Sequence, residues 1–136
     1  MNLTVLLADF AQGGDGAKVN ALGLGWSRIG TPLGLHSVLL VIDLEPAELG
    51  TPHHIALELV DVTGRTVIDP AGQRIEASAE VLVHLDEGAT VPGVQMITVN
   101  LTQGLPLDPG VYAWEAHSPS APGAVWRRPF EVFAAA

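Results

Sequence analysis

Histidines and carboxylates are the residues of this 136-residue chain that could do chemistry. There are five histidines and 15 acidic residues but no cysteine, so a metal site or an acid–base catalyst would have to use imidazole and carboxylate groups. The densest local cluster is His53, His54 and Glu58. Adjacent residues of a strand point to opposite faces, and His54 and Glu58 would lie about 13 Å apart along one strand. We therefore predict no metal site, and we expect the histidines, including His84 and His117, to lie on exposed polar faces.

Other catalytic motifs are absent from the sequence. The five serines lie outside any Gly-x-Ser-x-Gly context. The segment Asp61-x-Thr63-Gly64-Arg65 suits a hairpin turn, because Thr and Arg occupy positions that a calcium loop needs for ligands. Gly23-Leu24-Gly25 is no dinucleotide motif, because Arg28 stands where a third glycine is needed and no helix pattern follows. The sequence predicts a protein without catalytic residues or cofactors.

The charge balance excludes two classes of partner. The formal net charge is -9 with only six Lys and Arg residues, so we expect neither nucleic acid nor an anionic membrane surface to bind. The longest aliphatic run, Val38 to Ile42, is far too short to span a bilayer. The N-terminal segment lacks a basic region and reaches Asp9 early, which argues against a secretory signal and predicts a cytoplasmic protein.

The chain carries little charge for a soluble protein. Charged residues make up 15% of the sequence, against about 25% in typical soluble domains, while hydrophobic residues make up 48%. Either loops rich in Gly and Pro cover the surface, or apolar surface is buried against another chain. We expect a homo-oligomer or a protein partner.

Alternation with a period of two residues recurs along the chain, and helical periodicity does not. It is clearest from Ile75 to Leu85, and the turn at Pro109-Gly110 places Tyr112 and Trp114 on one sheet face, where they would anchor a core. Strands at spacings of about 8 to 15 residues with turn residues between them predict an all-β fold. We expect an immunoglobulin-like β-sandwich of about 8–9 antiparallel strands in a single domain, residues 1–136.

Three details of this prediction concern the chain ends and the sheet centre. Leu3 to Phe10 and Lys18 to Ile29 are predicted to form a hairpin around a glycine-rich turn at 13–16, with Leu22, Leu24 and Trp26 on one face. The strand from His36 to Glu45 is apolar on both faces, as in a central strand. Pro129 predicts an edge position or a break in the last strand, Val125 to Phe133.

Several motifs, taken in order, resemble a family of small uncharacterised bacterial proteins. They are Leu6-Leu7-Ala8-Asp9-Phe10-Ala11-Gln12, Asp15-Gly16-x-Lys18, Leu22-Gly23-x-Gly25-Trp26, Leu57-Glu58-Leu59-Val60-Asp61-x-x-Gly64-Arg65 and Leu107-x-Pro109-Gly110-x-Tyr112-x-Trp114. The resemblance covers most of the chain. It implies a compact all-β domain that often stands alone, and it brings no catalytic or binding residues with it.

The candidate contact residues lie near the C-terminus. Trp26 and Trp114 fit a core, whereas Trp126 stands beside two arginines near a loop and is expected to be exposed. We predict that Trp126, Arg127, Arg128 and Phe133, together with the N-terminal hairpin, contact a partner. The predicted function is a non-enzymatic module for protein–protein interaction or self-assembly. The alternative is a small-ligand or carbohydrate-binding module that uses a pocket near Trp126.

Overall fold

The computed structural model describes residues 1–14, 18–91 and 94–134. Within these residues the protein is all-β, as predicted, with one short 3-10 helix at Pro46–Glu48. The strands are β1 (Asn2–Ala8), β2 (Phe10–Gln12), β3 (Asn20–Leu22), β4 (Arg28–Gly30), β5 (His36–Asp43), β6 (His53–Asp61), β7 (Glu76–Val81), β8 (Gln95–Leu101), β9 (Gly110–His117) and β10 (Trp126–Phe133).

Two larger sheets pack face to face. One has the strand order β4-β10-β9-β6-β7 and the other has the order β1-β5-β8, so β5 is central as predicted. Alternate residues of the strands point inward and meet in one hydrophobic cluster, because successive side chains of a strand point to opposite faces. Its buried members include Leu3, Val5, Leu7, Val38, Leu40, Ile42, Ile55, Leu57, Leu59, Trp114, Phe130 and Val132.

β9 carries the aromatic residues on which the two sheets pack. Trp114 is 1% exposed, and Tyr112 is half-buried on the same face. The Tyr112 hydroxyl donates a hydrogen bond of 2.8 Å to the carbonyl of Asp108, which ties the turn to the start of β9. The ring of Tyr112 stacks on Phe130 of the neighbouring strand at a centroid distance of 6.0 Å. The predicted anchoring role of Tyr112 and Trp114 agrees with this packing.

The predicted N-terminal hairpin is correct only in part, because only the short strands β2 and β3 pair antiparallel across the glycine-rich segment. β1 pairs with β5, and the return segment is split into β3 and β4. Gly23 and Gly25 interrupt the segment in the left-handed region, with φ of 61° and 95°, and a Cβ at Gly23 would lie 2.1 Å from Asp9 Oδ2. Only glycine suits such positions, so the strand breaks there. The predicted turn residues Asp15 and Gly16 lie outside the described residues.

A small hairpin of β2 and β3 covers the outer face of the three-stranded sheet. Ala11 packs with Ala8 and Leu39 in a second buried cluster, and Ala21 lies against it. The outer face of β1 and β5 is apolar at these positions and therefore needs a cover. The leucines expected beside Trp26 point elsewhere, since Leu22 is 69% and Leu24 52% exposed, whereas Trp26 packs on the main core.

The strands are not all antiparallel, and the described residues hold ten strands instead of eight or nine. β4 runs parallel to β10, with Arg28 opposite Glu131 and Gly30 opposite Phe133. This pairing reaches only the last residues of β10. β10 lies between β4 and β9 and is therefore not an edge strand. Pro129 pairs with Ala113 of β9 and lies outside the β4 register, so the predicted edge position holds only locally.

Candidate functional site

The four predicted contact residues of β10 are divided between the two faces of the sheet. Trp126 and Arg128 point toward β1, where the Trp126 indole N–H donates to Asn2 Oδ1 at 3.2 Å and Arg128 Nε donates to the Val5 carbonyl at 2.7 Å. Trp126 is half-buried, so the prediction that it is exposed is wrong. Its ring lies on the inward-facing side of the strand and packs against the main hydrophobic core, so it is partly covered.

Arg127 and Phe133 lie on the opposite, outer face by strand alternation. The Arg127 guanidinium forms an ion pair with Glu115 of β9. The Arg28 guanidinium lies 4.5 Å from the centre of the Phe133 ring. All four predicted contact residues therefore have partners within the chain, and the structure does not bring them together as one patch.

His36 is buried between the two sheets instead of lying on a polar face. Its Nδ1 is 3.1 Å from the carbonyl of Gly34, and its Nε2 accepts a hydrogen bond of 3.2 Å from the Trp114 indole N–H. These partners assign the ring proton to Nδ1, since a carbonyl can only accept. Burial lowers the pKa of His36 because it disfavours the charged imidazolium, although the hydrogen bond to Gly34 opposes this effect.

His53 and His54 point to opposite faces, as predicted, but His53 does not lie on the exposed polar face that we expected. His53 is buried, with Nδ1 2.7 Å from Ser120 Oγ and Nε2 2.7 Å from the Glu48 carbonyl, whereas His54 is exposed. The Glu48 carboxylate accepts a hydrogen bond from the N-terminal ammonium, which lowers the pKa of Glu48. His53 thus joins the 3-10 helix at Pro46–Glu48 to the loop at Ser120.

Strand pairing brings together a cluster that sequence spacing did not reveal: Glu58, Glu115 and His117, on the outer face of the five-stranded sheet. Glu58 of β6 lies directly opposite Glu115 of β9, and Ala56 lies opposite His117. His117 Nε2 is 3.3 Å from Glu58 Oε1 and 4.0 Å from Glu115 Oε1, and the three ligand atoms lie within 4.8 Å of one another. His117 is therefore not the isolated polar-face histidine that we expected.

We call Glu58, Glu115 and His117 the outer cluster. In each of its two carboxylates, one oxygen is bonded to residues outside the cluster. Glu58 Oε2 accepts a hydrogen bond of 2.8 Å from Thr66 Oγ1 and one of 3.3 Å from Arg74 Nη2. Glu115 Oε2 is held by Arg127. The remaining oxygen of each group faces the imidazole. One imidazole nitrogen and two carboxylate oxygens make a ligand set that divalent transition metals accept.

Burial distinguishes the outer cluster from an ordinary surface ion pair. Glu115 is 6% exposed, although it is ionisable. The His117 Nε2 atom is buried and has no hydrogen-bond partner among the described residues. A cavity of about 610 Å³ adjoins it. The residues lining this cavity are Ala56, Leu57, Glu58, Glu76, Ala77, Ser78 and His117.

The β2–β3 hairpin exposes the larger of its apolar side chains. Phe10 and Leu22 are directly paired across the two strands, so their side chains share one face, and they are 49% and 69% exposed. Ala11 and Ala21, the next pair, share the opposite face, which is turned toward Leu39. Leu24 is also exposed just beyond β3. This apolar face is the exposed part of the N-terminal segment, for which a contact role is predicted.

A second cavity, of about 470 Å³, lies beside the ends of β7 and β8. Its size is within the range of small-ligand pockets. Arg74, Asn100 and Gln103 line it together with Leu101, Leu105 and Pro106. Trp126 lines neither of these two cavities.

The comparisons with known proteins give a family but no function. A model for a family of unknown function, DUF6941, matches residues 3–120, and the chain therefore belongs to that family. No curated protein matches. The resemblance to an uncharacterised family is confirmed. In the described parts of the chain, no helix has the length and apolar character needed to cross a bilayer.

Proposed function

We propose that this member of DUF6941 is a non-enzymatic module that binds a protein partner through the apolar face of its β2–β3 hairpin, and that this partner is a second copy of the chain. The observation that carries the proposal is the orientation of the hairpin: its alanines face the sheet, whereas Phe10 and Leu22 face solvent. We also propose a cytoplasmic location and a bacterial origin.

This orientation is unfavourable for an isolated chain. Full burial of a Phe or Leu side chain stabilises a protein by about 1.5–3 kcal/mol, and the hairpin forgoes much of that while it buries two alanines. Contact of the exposed face with another protein surface would recover this free energy. A two-fold dimer would place the same face of both copies in contact, which is the commonest arrangement of homo-oligomers. The low charge content of 15% agrees with an apolar contact surface.

We infer further that the two larger sheets form an immunoglobulin-like sandwich. The orders β10-β9-β6-β7 and β1-β5-β8 correspond to the G-F-C-C′ and A-B-E strands of that class. Tyr112 begins the strand after β8, and its hydroxyl bonds back to Asp108, as in the tyrosine corner of such sandwiches. Domains of this class often bind other molecules, but the fold by itself does not establish a function.

Light scattering coupled to size-exclusion chromatography tests the dimer proposal. We expect a mass of twice 14.2 kDa at micromolar concentration. The double substitution Phe10→Ser and Leu22→Ser should shift the mass to that of the monomer. Val62→Ser is the matched control, because Val62 is 78% exposed in a turn remote from the hairpin sequence. A monomeric wild-type protein at all concentrations would refute self-association.

The second candidate function is a small-ligand or carbohydrate-binding module. The cavity of about 470 Å³ beside β7 and β8 favours it, because both polar and apolar residues line this cavity. We place the ligand in this cavity and not near Trp126, whose indole N–H already bonds to Asn2. Saturation-transfer NMR with a panel of mono- and disaccharides tests this function. Binding that is lost in Asn100→Ala but kept in Asn20→Ala would support it.

A further inference from the structure

We propose that Glu58, Glu115 and His117 bind one divalent transition-metal ion, of which Zn²⁺ is the probe of choice, on the outer face of the five-stranded sheet. The site uses Oε1 of each glutamate and Nε2 of the histidine. It is separate from the β2–β3 hairpin, so it does not depend on the proposed dimer.

The distances suit a metal site. Zinc binds nitrogen and oxygen ligands at about 2.0–2.2 Å, which puts tetrahedral ligand atoms about 3.3–3.6 Å apart. His117 Nε2 and Glu58 Oε1 are already 3.3 Å apart, and Nε2 is 4.0 Å from Glu115 Oε1. The ligand atoms of Glu58 and Glu115 lie within 4.8 Å of each other, so a side-chain movement of about 1 Å at Glu115 would bring all three atoms to the spacing of tetrahedral ligands.

The charges of this sheet face favour a cation. Glu76, Glu58 and Glu115 lie side by side on β7, β6 and β9, in a row that ends at Arg127 on β10. Like charges directly opposite each other on neighbouring strands destabilise a sheet. Arg74 and Arg127 balance two of the three carboxylates, and a divalent ion between Glu58 and Glu115 would remove the remaining repulsion.

The surrounding hydrogen bonds orient the ligands in the way that metal sites require. Thr66 and Arg74 hold Oε2 of Glu58, and Arg127 holds Oε2 of Glu115, so the Oε1 atoms are turned toward the imidazole. Such outer partners fix ligand geometry in metal sites. In the described part of the chain the buried Nε2 of His117 has no hydrogen bond, although Glu58 Oε1 is 3.3 Å away, and a metal ion between the two atoms would bind both.

The cavity next to His117 leaves room for further ligands of the ion. Its volume is about 610 Å³, and Ser78 and Glu76 contribute to its wall. Three protein ligands with an open position beside a cavity are the arrangement of zinc sites that keep a bound water. The outer cluster therefore fits an exchangeable ion better than a closed structural site.

Isothermal titration of metal-free, untagged protein with Zn²⁺ tests the proposal. We expect one ion for each chain. His117→Ala should weaken binding by at least about 100-fold, since loss of outer partners alone costs about 10–100-fold. Glu115→Gln should have a similar effect, and Arg127→Gln should weaken binding by about tenfold. His54→Ala is the matched control, because His54 is exposed on the outer face of β6, about 13 Å from Glu58 along the strand.

Three outcomes would overturn the proposal. They are no zinc binding by the wild-type protein, equal weakening by His54→Ala and His117→Ala, or one ion for two chains with a zinc-dependent doubling of mass. Far-UV circular dichroism establishes that each variant is folded. His117→Gln, which keeps a polar side chain of similar length, provides a second variant if the alanine substitution prevents folding. The absorption spectrum of bound Co²⁺ gives a second measurement, in which tetrahedral N/O coordination is expected for the wild-type protein and lost in either His117 variant.

Discussion

The polar side chains on the two faces of β9 differ in whether their hydrogen-bonding groups have partners. On the inner face, Trp114 donates its indole N–H to His36, and both nitrogens of that histidine have partners. On the outer face, Glu115 and His117 stand beside Glu58, and His117 Nε2 has no hydrogen bond within the described residues. A histidine whose nitrogens are all satisfied serves packing, whereas a buried nitrogen facing two carboxylates indicates a binding site.

The same comparison extends to the arginines of β10. Arg128, on the inner face, bonds to a main-chain carbonyl of β1 and thereby joins the two sheets. Arg127, one residue earlier and on the outer face, holds a carboxylate in place beside His117. Because successive side chains of a strand point to opposite faces, these two neighbouring arginines make different contacts.

The largest expected effect is that of Trp114→Ala on the inner face. Trp114 is 1% exposed and fills the space between the sheets, so its truncation leaves a cavity and an unpaired His36 Nε2. We expect a loss of about 3–5 kcal/mol in the free energy of unfolding, measured by urea denaturation. Trp126→Ala is the control, and it should cost less because Trp126 is half-buried. Equal losses would contradict the central role of Trp114.

The next effect is that of His36→Leu, which removes the acceptor of the Trp114 indole N–H. We expect a loss of about 1–3 kcal/mol at neutral pH, the cost of an unsatisfied buried donor. Urea denaturation of both proteins measures it.

The same substitution should also change the pH dependence of stability. The folded-state pKa of His36 lies below 6.5, its ordinary value, so the unfolded chain binds this proton first as the pH falls. The wild-type protein therefore loses stability as the pH falls below about 6.5 and until the folded-state pKa is passed. His36→Leu should lose less stability over this window. A steeper loss in the variant would show that the sign of the pKa shift is wrong.

A smaller effect is expected for Arg127→Gln on the outer face. It leaves the Glu115 carboxylate, which is only 6% exposed, without its ion pair. Because the Arg127 side chain is itself 55% exposed, solvent screens the pair, and we expect a loss of about 1 kcal/mol. Arg28→Gln breaks an ion pair with Glu131 in which both side chains are exposed, and it should cost no more than about 0.5 kcal/mol. Thermal unfolding of the two variants in parallel compares them.

The smallest effect on stability is expected for His117→Ala in metal-free buffer. His117 makes no hydrogen bond through Nε2 within the described residues, and its side chain is 39% exposed. We expect a change within about 0.5 kcal/mol, as for other surface substitutions. A large loss in the absence of metal would show that His117 acts as an ion-pair partner of the glutamates in packing the sheet.

The local sequence pattern predicted several strands of the fold. Period-two alternation predicted β5 and β10 close to their observed bounds, whereas the alternation from Ile75 to Leu85 continues beyond the end of β7 at Val81. The Pro109-Gly110 turn predicted the direction of Tyr112 and Trp114. The pattern failed between residues 18 and 30. There the alternation of Leu22, Leu24 and Trp26 suggested one strand, whereas positive φ at Gly23 and Gly25 breaks the chain into β3 and β4.

The outer cluster could not be predicted from the sequence. Sequence spacing relates Glu58 only to its neighbours in the chain, His53 and His54. Its true partners, Glu115 and His117, belong to another strand and reach it through the β6–β9 register. A signal was present in the Glu115-x-His117 spacing, which places both residues on one strand face, but nothing in the sequence identified the facing strand.

The amino-acid sequence by itself determined that the chain forms strands, where several of them lie, and that Trp114 belongs to a core. These properties depend on neighbouring residues, through side-chain alternation and the conformational limits of Pro and Gly. Only the tertiary structure decided that β4 runs parallel to β10, that Phe10 and Leu22 face outward, and that Glu58 meets His117. The physical reason is that strand partners and their register are chosen by contacts between distant segments, which no local period encodes.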